Sequence, residues 1–287
     1  MNHVAPELEG QVTEIDFYKI RDFVPDFDAI AAEFAARSRA FEARAHIRSH
    51  SYGPRSRETL DIIVPNNLAA GAPLHVFVHG GYWRSGEKTD YRFVADPVLA
   101  AGGIAALVEY DLMPGQRLPV LVDQVRRAVA WVQENAVEVG GDPARITVSG
   151  HSAGAHLSSL LAATGVAEAA PALPRLKGLL LLSGIYDLSG IPDSFLRDEA
   201  GMTHEEAAAW SPLDARHIQL PRIIAYGSDE TRPFHDQAGK LAAMLHAEDH
   251  PTELLSVAGL NHMNVVLDLA DPSGTLGRRL ADLVASS

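Results

Sequence analysis

The stretch Gly150-His151-Ser152-Ala153-Gly154 sets a serine between two glycines. This spacing is typical of a sharp turn from a strand into a helix, in which the serine stands at the tip and the glycines let strand and helix approach each other. In such a turn the backbone N–H of Ala153, the residue after the serine, can donate to an oxyanion. The pattern is short, so its surroundings decide what it means.

The surroundings of Ser152 are those that a nucleophile turn requires. Residues 145–149 form a β-branched run that predicts a strand, and residues 155–161 form a leucine-containing run that predicts a helix. A serine hydroxyl is a poor nucleophile at neutral pH, so it needs a neighbouring base, usually an imidazole held by a carboxylate. We therefore expect a serine, an acid and a histidine, in that order along the chain.

Short apolar runs alternate with longer helical patterns over most of the chain. The predicted strands cover residues 60–64, 74–79, 104–110, 145–149, 179–183, 222–226 and 253–257, and the predicted helices cover residues 90–101, 118–139, 153–164, 234–247 and 275–284. Such alternation predicts an α/β fold with a mostly parallel sheet and helices on both faces.

The 287 residues are compatible with a single α/β domain spanning residues 1–287. Residues 26–45 predict an amphipathic helix ahead of the core that could cover the site. Residues 185–220 lack strand periodicity and are interpreted as an inserted cap.

Composition excludes several classes of function. The formal net charge is −13, which disfavours nucleic acid and anionic membranes, so a small-molecule substrate is expected. The chain has no cysteine, so disulfides, thiolate metal sites and a cysteine nucleophile are excluded. Residues 1–10 show no secretory leader, and no apolar run is long enough to span a membrane, so a cytoplasmic location is expected. The sequence leaves a homodimer open.

His262 is the favoured catalytic base because it directly follows the last predicted strand. The other histidines downstream of Ser152 fall in the predicted cap or on predicted helices, where a surface role is the stronger interpretation; they include His204, His217, His235, His246 and His250.

The acid is expected in the loop after the strand that ends at Gly227, where two carboxylates compete. Glu230 stands three residues past this glycine, which is the common position of the acid in folds of this type, and Asp229 stands one residue earlier. We favour Glu230 and keep Asp229 as the alternative acid.

The second part of an oxyanion hole is expected in the loop that begins His79-Gly80-Gly81-Tyr82-Trp83 after a predicted strand. Glycines there let the backbone approach a substrate carbonyl. We assign the backbone donors to Gly81 and Tyr82, with that of Ala153 opposite.

Tyr82 and Trp83 adjoin this loop and are the candidates for a substrate pocket, while Tyr186 and Trp210 could extend it or be plain core. His204 begins a zinc-protease-like helix, but alanine stands where a second ligand should be. No phosphate loop or dinucleotide fingerprint is present either. We therefore expect no metal and no cofactor.

Taken together, these motifs resemble the α/β-hydrolase fold, and within it the arylformamidase (kynurenine formamidase) family, which borders the hormone-sensitive-lipase-like esterases. The resemblance covers residues 50–270 or so. It rests on residues 79–83, on 149–156, on the Ser-Gly-Ile-Tyr-Asp-Leu run at 183–188, and on Phe234, His235 and Gln237.

The resemblance implies a sheet of about eight strands with a small cap, Ser152 as nucleophile, His262 as general base and acid, and Glu230 at the position of the orienting acid. It also implies hydrolysis of N-formyl-L-kynurenine or a related aryl formamide. A short-chain carboxylesterase is the alternative within the same chemistry. A non-catalytic ligand-binding protein on a hydrolase scaffold is the alternative of another class.

Overall fold

A single mixed sheet forms the centre of the computed structural model, which describes residues 15–287. Residues 1–10, for which the sequence analysis expected no secretory leader, lie outside these residues. The strands are β1 (His46–Ser51), β2 (Thr59–Val64), β3 (Ala72–Val78), β4 (Ile104–Val108), β5 (Gly141–His151), β6 (Ala163–Thr164), β7 (Gly178–Leu182), β8 (Arg216–His217), β9 (Arg222–Gly227) and β10 (Thr252–Val257).

Eight of these strands pair in the order β1-β2-β4-β3-β5-β7-β9-β10, and β6 pairs with β8 in a separate two-stranded ribbon. The β1–β2 and β2–β4 pairs are antiparallel, and all other pairs of the large sheet are parallel. The prediction of an α/β fold with a mostly parallel sheet of about eight strands is confirmed.

The helices are α1 (Phe27–Glu42), α2 (Asp96–Ala100), α3 (Leu118–Glu134), α4 (Ala153–Ser159), α5 (Leu196–Glu199), α6 (His204–Trp210), α7 (Arg232–Ala247), α8 (Val265–Ala270) and α9 (Thr275–Ala285). Short 3-10 turns cover Ile20–Asp22, Lys88–Ala95, Leu160–Ala162 and Pro212–Asp214. None of the helices within residues 15–287 is both long and apolar enough to span a membrane.

The inner strands could be predicted from the sequence because both faces of each strand are buried, which requires apolar residues. Every residue of β3, β4 and β7 is buried, as expected of parallel strands that read as continuous apolar runs. Strand β1 was missed: its sequence His-Ile-Arg-Ser-His-Ser is mostly polar, and it lies at the edge of the sheet with no fully buried residue.

One predicted helix divides in two. Residues 90–101 contain the end of the Lys88–Ala95 3-10 segment followed by α2. Pro97 stands in the first turn of α2, where its missing N–H costs nothing.

Two peripheral regions lie where the sequence analysis expected covering elements. Helix α1 buries Ile30, Phe34 and Phe41, and the Phe34 ring lies 5.6 Å from that of Tyr91. Residues 185–220 contain α5, α6, a 3-10 turn and β8.

Candidate functional site

Ser152 lies between the end of β5 and the start of α4, in the strained conformation that the glycines around it allow. Its φ is 56° and its ψ is −119°. A Cβ atom on Gly150 would lie 2.3 Å from the carbonyl oxygen of Gly154, and one on Gly154 would lie 2.1 Å from that of Val78. Strand and helix can therefore meet beneath the serine only if residues 150 and 154 are both glycine.

Ser152 and His262 line the same cavity, which has a volume of about 480 Å³. Its apolar wall is largely aromatic, and its charged residues carry both signs. The aromatic residues are Phe27, Phe34, Tyr82, Tyr91 and Phe195, and the charged ones are Lys19, Arg21, Arg84, Asp90 and Glu199.

Glu230 is hydrogen-bonded to the His262 ring inside the protein. Its Oε2 atom accepts from Nδ1 of His262 at 2.7 Å, and its Oε1 atom accepts from Ser183 Oγ at 2.5 Å and from the backbone N–H of Gly227 at 2.7 Å. The side chains of Glu230 and His262 are almost completely buried. A carboxylate in this position fixes the tautomer and orientation of the imidazole and leaves Nε2 for proton transfer.

Asp229, the alternative acid, points elsewhere. It is exposed, and its Oδ1 atom accepts from the neighbouring Ser228 hydroxyl at 2.8 Å. The backbone N–H of Asp229 donates to the carbonyl of Leu260 at 2.9 Å, which fixes the loop so that the next residue, Glu230, faces inward. The structure therefore brings Glu230 and not Asp229 to His262.

His151, which precedes the serine, is a cavity residue that the sequence analysis gave no role. Its Nε2 atom lies 2.9 Å from the carbonyl oxygen of His262, and the two ring centroids are 4.9 Å apart. Burial, and after it the neighbouring His262, lower the pKa of His151 well below its ordinary value. His151 is therefore neutral at neutral pH, and its Nε2–H supports the histidine loop by donating to that carbonyl.

The loop after β3, in which the oxyanion donors are expected, lies against the serine turn. A Cβ atom on Gly80 would lie 3.2 Å from Cβ of Ser152, so the two turns touch. The carbonyl of Gly81 accepts from the backbone N–H groups of Arg84 and Ser85, both at 3.0 Å. Because C=O and N–H of one trans peptide point in opposite directions, the N–H of Tyr82 is turned away from that side of the loop.

The structure corrects the expectation that Trp83 lines the substrate pocket. Tyr82 borders the cavity, but Trp83 is completely buried and donates from Nε1 to Nδ1 of His156 at 3.1 Å. Tyr186 and Trp210 also lie outside the cavity lining. Sequence periodicity could not show that Tyr82 borders the cavity and Trp83 does not, because consecutive residues in a turn point in different directions.

Residues 19–21 line the cavity, and residues 16–18 tie this stretch to the rest of the protein; sequence reasoning missed both. The carbonyl of Phe17 accepts from Thr231 Oγ1 at 2.7 Å, and the carbonyl of Tyr18 accepts from the Tyr82 hydroxyl. Asp16 Oδ2 accepts from the backbone N–H of Phe195 at 2.6 Å. This stretch has no regular periodicity, so the sequence carried no signal that it would reach the site.

The described part of the chain contains no group of three or more His, Cys, Asp or Glu side chains arranged to hold a metal ion. The site instead combines a hydroxyl, an imidazole with a bonded carboxylate, and backbone N–H groups. These are the parts with which serine hydrolases carry out acyl transfer.

Comparisons with known proteins place the chain among hydrolases. The BD-FAE family model matches residues 60–194. Kynurenine formamidase from Salmo salar is 30% identical over 243 residues, which cover 82% of this chain and 81% of that protein. Carboxylesterase NlhH from Mycobacterium tuberculosis is 29% identical over 265 residues, covering 84% and 82% respectively.

A solved structure from Silicibacter sp. TM1040 superimposes with a TM-score of 0.79 at 26% identity, covering 94% of this chain and 97% of that one. The fold, the relatives and the serine turn agree with one another. The chain is therefore a serine hydrolase of the α/β-hydrolase fold and belongs to the kynurenine formamidase family.

Proposed function

We propose that this enzyme hydrolyses small aryl formamides of the N-formyl-L-kynurenine type, with Ser152 as nucleophile, His262 as general base and acid, and Glu230 as the orienting acid. The observation that carries the proposal is the buried Glu230–His262 hydrogen bond of 2.7 Å at the cavity that Ser152 also lines. It supplies the oriented base that a serine nucleophile requires.

In the first half-reaction, the Ser152 hydroxyl attacks the formyl carbon while Nε2 of His262 takes its proton. The carbonyl oxygen becomes an oxyanion, for which Gly81, Tyr82 and Ala153 offer backbone N–H groups. His262 then returns the proton to the aryl nitrogen as the C–N bond breaks, because an anilide anion is too poor a leaving group to depart unprotonated. The products are a formyl-serine and a free aryl amine.

In the second half-reaction, His262 takes a proton from a water molecule that attacks the formyl-serine. A second tetrahedral oxyanion occupies the same donors, and its collapse breaks the C–O bond to Ser152 Oγ, which regains a proton from His262. Formate leaves, and the enzyme returns to its starting state.

The cavity supports the choice of substrate class. Phe27, Phe34 and Phe195 offer apolar surface for an aryl group. Lys19, Arg84 and the acidic residues on the same lining offer partners for an amino-acid end that carries both charges. A kynurenine formamidase at 30% identity supports the same class.

A short-chain carboxylesterase is the second candidate, because the carboxylesterase NlhH is nearly as similar in sequence. The two candidates share the nucleophile and differ in the preferred leaving group. A comparison of kcat/KM for N-formyl-L-kynurenine with kcat/KM for p-nitrophenyl acetate distinguishes the two candidates. The formamidase proposal predicts the larger value for the formamide.

Ser152→Ala tests the nucleophile, with Ser158→Ala as its matched control. Both serines are buried, Ser152 directly before α4 and Ser158 near its end, and Ser158 Oγ has no hydrogen-bond partner among the described residues. We expect S152A to lose about 10³-fold or more of kcat on both substrates, and S158A to keep its activity.

Retention of activity by S152A would overturn the mechanism. If the wild-type enzyme neither turned over any formamide or ester nor reacted with a serine-directed fluorophosphonate, the chain would be the non-catalytic binding protein of the third hypothesis. If the enzyme turned over esters but no formamides, the carboxylesterase function would be supported and the formamidase function excluded.

A further inference from the structure

The imidazole of His79 lies completely buried behind the oxyanion loop, with both ring nitrogens engaged. Its Nδ1 atom is 2.7 Å from the carbonyl oxygen of Gly80, and its Nε2 atom is 3.0 Å from Oε1 of Glu109. The ring stacks on Tyr110 with centroids 4.3 Å apart, and the Tyr110 hydroxyl donates to the carbonyl of His79 at 2.8 Å. None of these groups takes part in the mechanism above.

Glu109 is a buried carboxylate with several donors around it. Burial alone would raise its pKa, but the hydrogen bond and charge of His79, the charge of Arg57 and the backbone N–H of Lys88 together hold it below the ordinary value. Arg57 Nη2 also donates to the carbonyl of Gly86 at 2.7 Å, at the far end of the same loop. Glu109 is therefore ionised at neutral pH and linked to both ends of the oxyanion loop.

The contacts of His79 hold its ring at both nitrogens. Nε2 faces the Glu109 carboxylate, and Nδ1 faces the carbonyl oxygen of Gly80, which can only accept a hydrogen bond. The Nδ1–H of His79 therefore donates to the Gly80 carbonyl, and Glu109 holds the opposite side of the ring.

The Gly80 carbonyl belongs to the same peptide unit as the Gly81 N–H. The peptide is trans, so the N–H points away from the oxygen that His79 holds. A hydrogen bond to the C=O of an amide also polarises its N–H, because hydrogen bonds in a chain strengthen one another. The His79 contact thus fixes the direction of the Gly81 donor and strengthens it.

We propose that Glu109 and His79 are positioning residues of the oxyanion hole: Glu109 holds the His79 ring at Nε2, and His79 orients and polarises the Gly80–Gly81 peptide through Nδ1. The inference rests on the proposed function, in which the Gly81 N–H binds the oxyanion. Neither side chain lines the cavity.

Glu109→Gln tests the proposal, with Glu58→Gln as the matched control. Glu58 is also a buried carboxylate with an arginine partner, since Arg127 Nη2 donates to it at 2.6 Å, and it is bonded to no residue of the oxyanion loop within the described chain. The readouts are kcat and KM on p-nitrophenyl acetate, the free energy of unfolding in urea, and the inhibition constant of a trifluoromethyl ketone. Attack of the Ser152 hydroxyl on that ketone forms a C–O bond while the carbonyl π bond opens to an oxyanion in the hole, and Nε2 of His262 takes the hydroxyl proton.

We expect E109Q to lower kcat about tenfold with KM little changed, and to weaken ketone inhibition by the same factor. This is less than the 10²–10³ that loss of a donor costs, because the N–H remains. E58Q should lower the free energy of unfolding about as much as E109Q does, and should leave kcat and the inhibition constant of the ketone at their wild-type values. If E109Q matched E58Q in stability and the wild type in both kcat and inhibition, the proposal would be overturned.

His79→Asn gives a second test, should E109Q fail to fold. The asparagine amide can still donate to the Gly80 carbonyl, whereas alanine cannot, so we expect a smaller loss than that of His79→Ala, in both kcat and ketone inhibition. Equal values for the two variants and the wild type would contradict the proposal. Failure of the proposed function would look different, because the wild-type enzyme itself would then not bind the ketone through Ser152.

Discussion

Oε2 of Glu230 accepts the Nδ1 proton of His262 at 2.7 Å, while the carboxylate of Asp229, one residue earlier, faces solvent. The difference follows from the loop after β9, where Gly227 N–H and Ser183 Oγ bind the other oxygen of Glu230. Three donors therefore hold one carboxylate, and the adjacent one is left exposed.

This relationship predicts opposite results for two conservative substitutions. Glu230→Gln retains the shape but offers the ring an amide in place of a carboxylate, so we expect kcat to fall by about 10²–10⁴. Asp229→Asn should change kcat less than about twofold, since the group is solvated and distant from the ring. Steady-state kinetics on p-nitrophenyl acetate measures both, and a large loss in D229N with a normal E230Q would reverse the assignment.

A second prediction concerns packing at the nucleophile turn. A Cβ atom on Gly154 would lie 2.1 Å from the Val78 carbonyl oxygen, and the backbone of β3 cannot move away without disturbing the sheet. We expect Gly154→Ala to lower the free energy of unfolding by about 3 kcal/mol. Gly239 in α7 has nothing within 4 Å of its Cβ position, so Gly239→Ala should stabilise by up to about 1 kcal/mol. Urea unfolding distinguishes them, and equal effects would contradict the steric explanation.

A third prediction concerns pH. Burial lowers the pKa of His156 to about 4, against about 6.5 in the unfolded chain. Between these values the unfolded state binds a proton that the folded state does not, so stability is full above about pH 6.5 and falls as pH decreases toward 4. One such group contributes a slope of up to about 1.4 kcal/mol per pH unit.

His156→Gln should therefore flatten the pH dependence of the unfolding free energy below about pH 6, even though it removes the hydrogen bond from Trp83. His204→Gln is the control, because 69% of the His204 side chain is exposed. Urea unfolding at several pH values checks both, and an unchanged slope in H156Q would show that His156 titrates alike in both states.

A fourth prediction concerns residues 16–21, of which 19–21 line the cavity. Tyr82→Phe removes the hydroxyl that donates to the Tyr18 carbonyl and keeps the backbone N–H assigned to the oxyanion hole. We expect a loss of about 1 kcal/mol of stability and a higher KM, with kcat reduced less than about threefold. A large fall in kcat at unchanged KM would instead give the Tyr82 hydroxyl a part in the chemistry.

The sequence predicted those parts of the fold that depend on local pattern. The runs that became β4, β7 and β9 are apolar because each strand is covered on both faces, and the glycines around Ser152 report a close approach that no other residue permits. Strand β1 was not predicted because an exposed edge strand does not require a run of apolar residues.

By itself, the sequence determined the nucleophile turn, the alternation of strands and helices, and His262 as the favoured base, because spacing and order along the chain define these features. Only the tertiary structure decided between Glu230 and Asp229, excluded Trp83 from the cavity, brought residues 19–21 to the cavity, and placed the Glu109–His79 pair against the loop after β3. These outcomes depend on the directions in which neighbouring side chains point and on contacts between distant residues. Neither the side-chain directions nor the distant contacts produce a periodic pattern that could be recognised in the sequence.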